Sequence, residues 1–429
     1  MSTPTLATET SAADDTTVRE RRRQYAFSFA RNVLGRGNVI LKPDLADRIS
    51  HTLARTEEVE NSIRDEWGNW EYRFSERGRA GAPAIPWLEE LVLDSVRSPT
   101  PTAHVEPTWP QGRAFALCLT HDVDGVSSRN HEKRFFRRLA RVVRARGPKH
   151  VAVLQAAGSL YRLASEIGKP DQLGRFDDWL RLESRHGFRS TWYFLPSDYT
   201  KVHVFDMDYV YEDTVVFEGR RMPVSDMMKA IHASGGDVGL HGSYLSPCDA
   251  TLLSGQVRQV ERAVGQPVRS VRQHYLRYDA RLTPSVQAEA GCDNDSTQGF
   301  NTSIGCRAGT SFPYWAWDHQ GNAPSRVLEI PLHIMDVALL RGASSERDRA
   351  IRMAVDLMDR VAAVGGCLTL NWHPNLINHG PLFQIYEVLL EEAAAKKAWG
   401  CSASELTDWW NAREKRLESQ RHTSEGIIT

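Results

Sequence analysis

The chain has 429 residues, a formal net charge of −1, 41% apolar residues and 25% charged ones. Such a composition suits a globular protein with one large domain and an extension, or with two domains, and the balanced charge argues against a nucleic-acid binder. No apolar run reaches the ~18 residues a membrane span needs, and the six cysteines (Cys118, Cys248, Cys292, Cys306, Cys367, Cys401) include no CxxC pair that would suggest a zinc motif or a disulfide framework.

Residues 1–18 are rich in Ser, Thr and Ala and lack the basic start and apolar centre of a secretory signal, so they read as a disordered tail and the cytoplasm is the default location. Residues 19–98 look helical and self-contained. One amphipathic stretch opens at Asp44 and another at Pro86, and Trp67, Trp70 and Trp87 are expected to pack this unit onto the next. Residues 99–110 hold four prolines and serve as a linker.

From Gly112 the pattern changes to short apolar strands at 114–120, 190–195, 237–240, 327–331 and 367–372. Helical stretches at 175–186, 225–234, 347–364 and 383–396 fall between them. Alternating strands and helices predict parallel pairing. Two insertions interrupt the pattern, at 126–171 and 202–221, and residues 413–429 read as a C-terminal tail. Within the first insertion, 132–149 is strongly basic with apolar residues at helical spacing. It reads as a solvated amphipathic face or as a surface for anionic lipid or a phosphorylated substrate. In the second, Tyr209 and Tyr211 either pack the loop or flank a groove.

The segment Leu119-Thr120-His121-Asp122-Val123-Asp124-Gly125 ends the first strand in a cluster of metal-binding or acid/base groups. Residues i and i+2 of a strand point the same way, so Asp122 and Asp124 can converge. Gly239-Leu240-His241-Gly242-Ser243-Tyr244, Arg272-Gln273-His274-Tyr275-Leu276-Arg277 and Asn371-Trp372-His373-Pro374 lie at later strand ends. A lone histidine is more often structural than functional. Several at the ends of different strands, with two carboxylates, match a metal-assisted hydrolase.

In their order, these strings resemble the polysaccharide deacetylase family over residues 115–410, and more closely its divergent branch found among bacterial surface-polysaccharide genes. The resemblance implies an α/β fold: a distorted (β/α)7-type barrel with its groove at the strand C-termini, here carrying an N-terminal helical extension. Carried over residue by residue, it implies Asp122 as general base and Asp124 as metal ligand, with those two roles exchangeable because Val123 separates them. It further implies His241 as a ligand, Arg272 as the arginine that orients the base, and His373 as general acid. The family's second-motif partner of His241 falls on Leu245, which cannot bind a metal, so His274 is taken as the replacement ligand. Trp372 and Tyr244 are expected to line the groove. Arg307 would hold a substrate carboxylate or phosphate, or pair structurally with Asp295 or Asp336; Asp295 is a softer substrate-binding candidate.

The implied cofactor is a divalent metal, Zn2+ first among them. The implied activity is N-deacetylation of an N-acetylated sugar, as glycan, lipid-linked or nucleotide-linked precursor. The alternatives are hydrolysis of a small non-sugar amide, imide or formamide, and an inactive carbohydrate-binding scaffold, which Leu245 would favour. The expected partner is a small-molecule or carbohydrate substrate; no nucleic acid and no obligate protein partner is inferred, and the membrane contact through 132–149 is the one further expectation.

Overall fold

The structure, a computed structural model, describes residues 10–95, 105–126, 175–197, 209–374 and 381–425, with 150, 154, 157, 203, 205 and 206 described singly. The basic stretch 132–149 and nearly all of the insertion 126–171 lie outside the described residues. The strands in chain order are β1 (Ala116–Val123), β2 (Thr191–Phe194), β3 (Thr214–Phe217), β4 (Arg220–Pro223), β5 (Asp237–Gly242) and β6 (Ser270–Gln273). They are followed by β7 (Asn294–Asp295), β8 (Tyr314–Asp318), β9 (Ala323–Glu329), β10 (Ile334–Met335), β11 (Cys367–Asn371) and β12 (Trp399–Cys401).

The main sheet runs β10-β11-β1-β2-β5-β6-β7-β9-β8. Every pair along it is parallel except β8 on β9. β11 borders β1 over Ala116–Thr120, β12 pairs Ala116–Cys118 and β2 pairs Thr120–Val123, so β12 and β2 divide the second edge of β1 between them. The sheet is that of an open, distorted (β/α) barrel, with β10 and β8 as unpaired edges among the described residues.

Every residue of β1 is buried, as expected of a central parallel strand covered on both faces. Its side chains alternate between two cores: Leu117 and Leu119 join Trp192, Leu240, Leu357 and Leu390 in one, while Ala116 and Cys118 join the other. That second core contains Tyr25, Phe29, Ile49, Leu53, Leu88 and Val92 of the N-terminal unit beside Leu328, Ile330, Cys367 and Trp410 of the barrel. The N-terminal unit, expected to be self-contained, therefore shares a core with the barrel, because it covers one face of the central strands.

The helices form where the sequence carries their signals. Arg347–Ala363 buries Ala350, Ala354, Leu357, Met358 and Val361, one stripe at helical spacing. Ala250–Val264 starts on Asp249, whose side chain accepts from the Leu252 N–H at 3.0 Å, and stops at Gly265 with φ 78°.

Two boundaries differ from the sequence reading. A helix already begins at Thr10 within the expected tail, and the last helix, Ala403–Glu425, runs through the expected C-terminal tail. Arg413 is fully buried there, donating to Asn32 Oδ1 and to the Asn32 carbonyl, both at 2.8 Å, and Leu417 is buried too. These contacts make the segment part of the fold. In the second insertion the hairpin β3–β4 packs Val215 and Phe217 into the first core. Tyr209 Oη accepts from the Leu195 N–H and Tyr211 Oη donates to the Leu195 carbonyl, so both tyrosines serve packing. No described helix is long and apolar enough to cross a membrane.

Candidate active site

The C-terminal ends of β1, β5, β6, β10 and β11 meet at one pocket of about 220 Å³. Asp122, Asp124, His241, His274 and His373 all line it, together with Trp67, Tyr275, Leu276, Asn301, Met335, Val337 and Arg341. Parallel sheets place ligands at this end because the strands stop there and the loops diverge.

Asp124, His241 and His274 can each offer one donor atom such that all lie within 4.8 Å of one another. His241 Nδ1 is 2.9 Å from the Arg272 carbonyl, which can only accept; Nδ1 therefore carries a proton, and Nε2 faces Asp124 Oδ1 at 3.5 Å. His274 Nε2 is 3.8 Å from the same oxygen, and its Nδ1 faces Asp206 Oδ1 at 3.5 Å. Asp124 Oδ1 is buried with no hydrogen-bond partner, an expensive state for a carboxylate oxygen. Two imidazoles and a carboxylate with an unpartnered oxygen fit a divalent cation. Leu245 opens the turn Ser246–Cys248 and is absent from the pocket wall; the third donor comes from the neighbouring strand end instead.

Asp122 is not part of that set. Its Oδ1 accepts from Arg272 Nη1 at 3.1 Å and its Oδ2 from Asn371 Nδ2 at 2.7 Å. Burial alone would raise its pKa, but the Arg272 guanidinium, with His241 and His373, outweighs burial and holds the carboxyl below its ordinary value. Arg272 is fully buried and spends its remaining donors on Thr120 Oγ1 (2.6 Å), the Ser296 carbonyl (2.7 Å) and Ser296 Oγ (2.7 Å). It fixes Asp122 and touches nothing in the open pocket.

His373 Nε2 stands 3.7 Å from Asp124 and 4.0 Å from Asp122, and its Nδ1 lies 2.8 Å from Asp336 Oδ1. Burial would lower its pKa, yet the Asp336 carboxylate beside it and the two site aspartates push it up to about 10. Asp336 begins the helix after β10 and is fully buried; the sequence suggests it only as a partner for Arg307. Asn371, two residues before His373, carried a usable signal, since i and i+2 share a face at a strand end. No local pattern pointed to Asp206.

His274 is followed by two left-handed residues, Tyr275 (φ 59°) and Leu276 (φ 54°). Such backbone costs about 1–2 kcal/mol per residue and persists only where surroundings enforce it. Here Asn69 Nδ2 (2.6 Å) and Asn301 Nδ2 (3.0 Å) both donate to the Tyr275 carbonyl, and Trp67 forms part of the pocket wall. The N-terminal unit thus shapes the site. Gly242 answers a second local demand: a Cβ there would lie 2.2 Å from Gln273 Oε1, so the chain after His241 can press against β6 only without a side chain.

Four substrate-binding expectations are corrected by the geometry. Trp372 is fully buried with Nε1 donating to the Leu382 carbonyl at 3.1 Å, because it points away from the pocket into the first core. Asp295 is buried on β7, accepts from Thr297 Oγ1 and lies beside Glu329; burial pushes both carboxyls up, and neither reaches the pocket. Arg307 pairs with Glu58, not with Asp295 or Asp336, through Nε at 2.9 Å and Nη2 at 2.8 Å. Tyr244 donates its hydroxyl to the Trp67 carbonyl at 2.9 Å, and its ring stacks on His203 at 4.0 Å, so it buttresses the wall from behind. His121, within the first motif, is also structural: Nε2 lies 2.6 Å from Glu183 and Nδ1 2.9 Å from the Trp372 carbonyl.

No protein-family model and no curated protein matches the sequence. Among solved structures, the chain is similar to a protein described as a polysaccharide deacetylase from Mycobacterium smegmatis, at 17% identity over 74% of this chain and 96% of that one, with a TM-score of 0.48. It is similar to Puue allantoinase at 16% identity over 73% and 95% of the two chains, with a TM-score of 0.45. A protein described as a polysaccharide deacetylase from Pseudomonas aeruginosa PAO1 matches at 17% identity over 72% and 95%, with a TM-score of 0.45.

Proposed function

We propose that this chain is a metal-dependent amide hydrolase that deacetylates an N-acetylated sugar, presented as a glycan or as a lipid- or nucleotide-linked precursor. One observation carries the reading. A prospective metal triad (Asp124, His241, His274), a carboxylate held ionised by Arg272 (Asp122) and an imidazole held protonated by Asp336 (His373) share a single pocket.

Amides are weak electrophiles and amines poor leaving groups. A divalent cation held by Asp124, His241 and His274, zinc being the choice their chemistry favours, would supply Lewis acidity toward an acyl oxygen and water. Asp122, ionised and fixed on two sides, takes the proton of the attacking water. Asn371 and Arg272 keep its oxygens oriented. His373 gives its Nε2 proton to the departing nitrogen, and Asp336 on Nδ1 stabilises the charged ring until it does so.

Metal content of the purified chain, followed by acetate release from N-acetylated sugars, tests this. About one transition metal per chain with acetate release would support it. A chain that takes up no metal on reconstitution would refute it and favour the binding-scaffold alternative.

A further inference from the structure

Arg341 is the pocket-lining cation that the chemistry above leaves unused. It lies in the last turn of the helix Asp336–Gly342, is exposed, and holds its guanidinium 5.8 Å from the centre of the Trp67 ring. The other arginines around the site are engaged. Arg272 is spent on Asp122, Thr120 and Ser296; Arg277 donates to the Tyr244 carbonyl at 3.2 Å and covers that ring; Arg307 grips Glu58. Among the described residues the Arg341 side chain has no carboxylate and no carbonyl partner.

The pocket is therefore polarised. Its floor carries Asp122, Asp124 and the three histidines, and its wall carries one uncommitted guanidinium on an indole beside Leu276, Met335 and Val337, the last 38% exposed. A guanidinium offers parallel donors matched to carboxylate or phosphate, and an apolar neighbourhood strengthens such a contact.

We infer that the substrate is an anionic N-acyl sugar whose phosphate or carboxylate binds Arg341, at the part of the wall that Trp67 of the N-terminal unit shares. The placing of the acyl group at the Asp122–His373 end rests on the deacetylase reading.

The test is calorimetric titration of the metal-reconstituted full chain with N-acetylglucosamine 1-phosphate, N-acetylmuramic acid and the neutral methyl glycoside of N-acetylglucosamine. One or both acids should bind at least ten-fold tighter than the glycoside, and the favoured acid identifies the oxyanion. Arg341→Ala should erase that advantage, and Arg341→Lys should retain part of it. Because Arg341 is exposed, an unchanged thermal midpoint checks that the variants fold. Equal or undetectable binding of all three probes, or an advantage that survives in Arg341→Ala, overturns the inference. Acetate release is scored separately. Charge-dependent binding without release would refute deacetylation alone, and release indifferent to Arg341 would refute anion recognition alone.

Discussion

Asp336 holds His373 at two points: it accepts from the His373 backbone N–H at 2.8 Å and lies 2.8 Å from its Nδ1. One carboxylate thereby sets both the path of the chain after β11 and the orientation and charge of the ring. His373 must be protonated to act as an acid, so activity should fall as pH rises through its pKa, which Asp336 raises above the ordinary imidazole value. Asp336→Asn removes the main charge that raises this pKa, so the alkaline limb of the pH–rate profile should move to lower pH. At pH 8 kcat should drop roughly ten-fold or more. An unmoved limb would show that Asp336 does not govern the titration.

Asp122→Asn preserves the shape of the base and removes its proton affinity. Turnover is expected to fall by about 10²–10⁴ while bound metal, measured by mass spectrometry, stays at the wild-type level. A metal-loaded variant with near-normal turnover would transfer the base role to another group.

Metal affinity separates ligands from their supports. His274→Ala should abolish metal binding in a chelator competition. Asp206→Asn removes the charge facing His274 Nδ1, on a carboxylate that also accepts from the Tyr244 and His203 N–H groups, and should weaken binding by roughly 10–100-fold. Full affinity in His274→Ala would exclude the proposed triad.

The Glu58–Arg307 pair, with Arg55 also on Glu58, ties the N-terminal unit to the barrel. Burial would raise the Glu58 pKa, but Arg307 and Arg55 outweigh it and bring the carboxyl down to about 2. A depressed carboxyl stabilises the fold above its unfolded pKa of about 4.3, and that contribution is lost as pH falls from there toward 2. Glu58→Gln should therefore flatten the acid limb of a stability–pH curve between those values. At neutral pH it should cost about 3–5 kcal/mol, because Arg307 is left buried without its countercharge. Chemical denaturation of both proteins across pH 2–7 checks the sign and the size.

Leu53→Ala probes the shared core. It should destabilise the whole chain by about 2–5 kcal/mol in one cooperative transition, since Leu53 packs in the cluster that holds Cys118 and Trp410. Separate melting of the N-terminal residues would contradict that account.

Much of this site could be read from the sequence because its chemistry sits where apolar strands end. Thr120–Asp124, Leu240–His241 and Leu370–His373 each join a buried run to polar groups within a few residues, so period and position agree. What was not legible depends on tertiary contacts with no local trace. Asp336 meets His373 across a separation of 37 residues, and Glu58 meets Arg307 across 249. Trp372 misleads because it is next to a site histidine, and neighbouring residues on an extended chain point to opposite sides. The N-terminal unit looked independent because its helices are amphipathic, and that periodicity does not reveal which surface covers the apolar stripe.

The three donors Asp124, His241 and His274 sit at the tips of β1, β5 and β6, with β2 between the first two. No short stretch of chain contains the set, so an unfolded or half-assembled polypeptide offers a cation only scattered ligands. Occupancy then depends on the sheet having closed up in its proper order, and the ion, once held, resists the sheet's reopening. In a cell short of metal, such a protein would lose durability together with activity, and its abundance would report the metal supply.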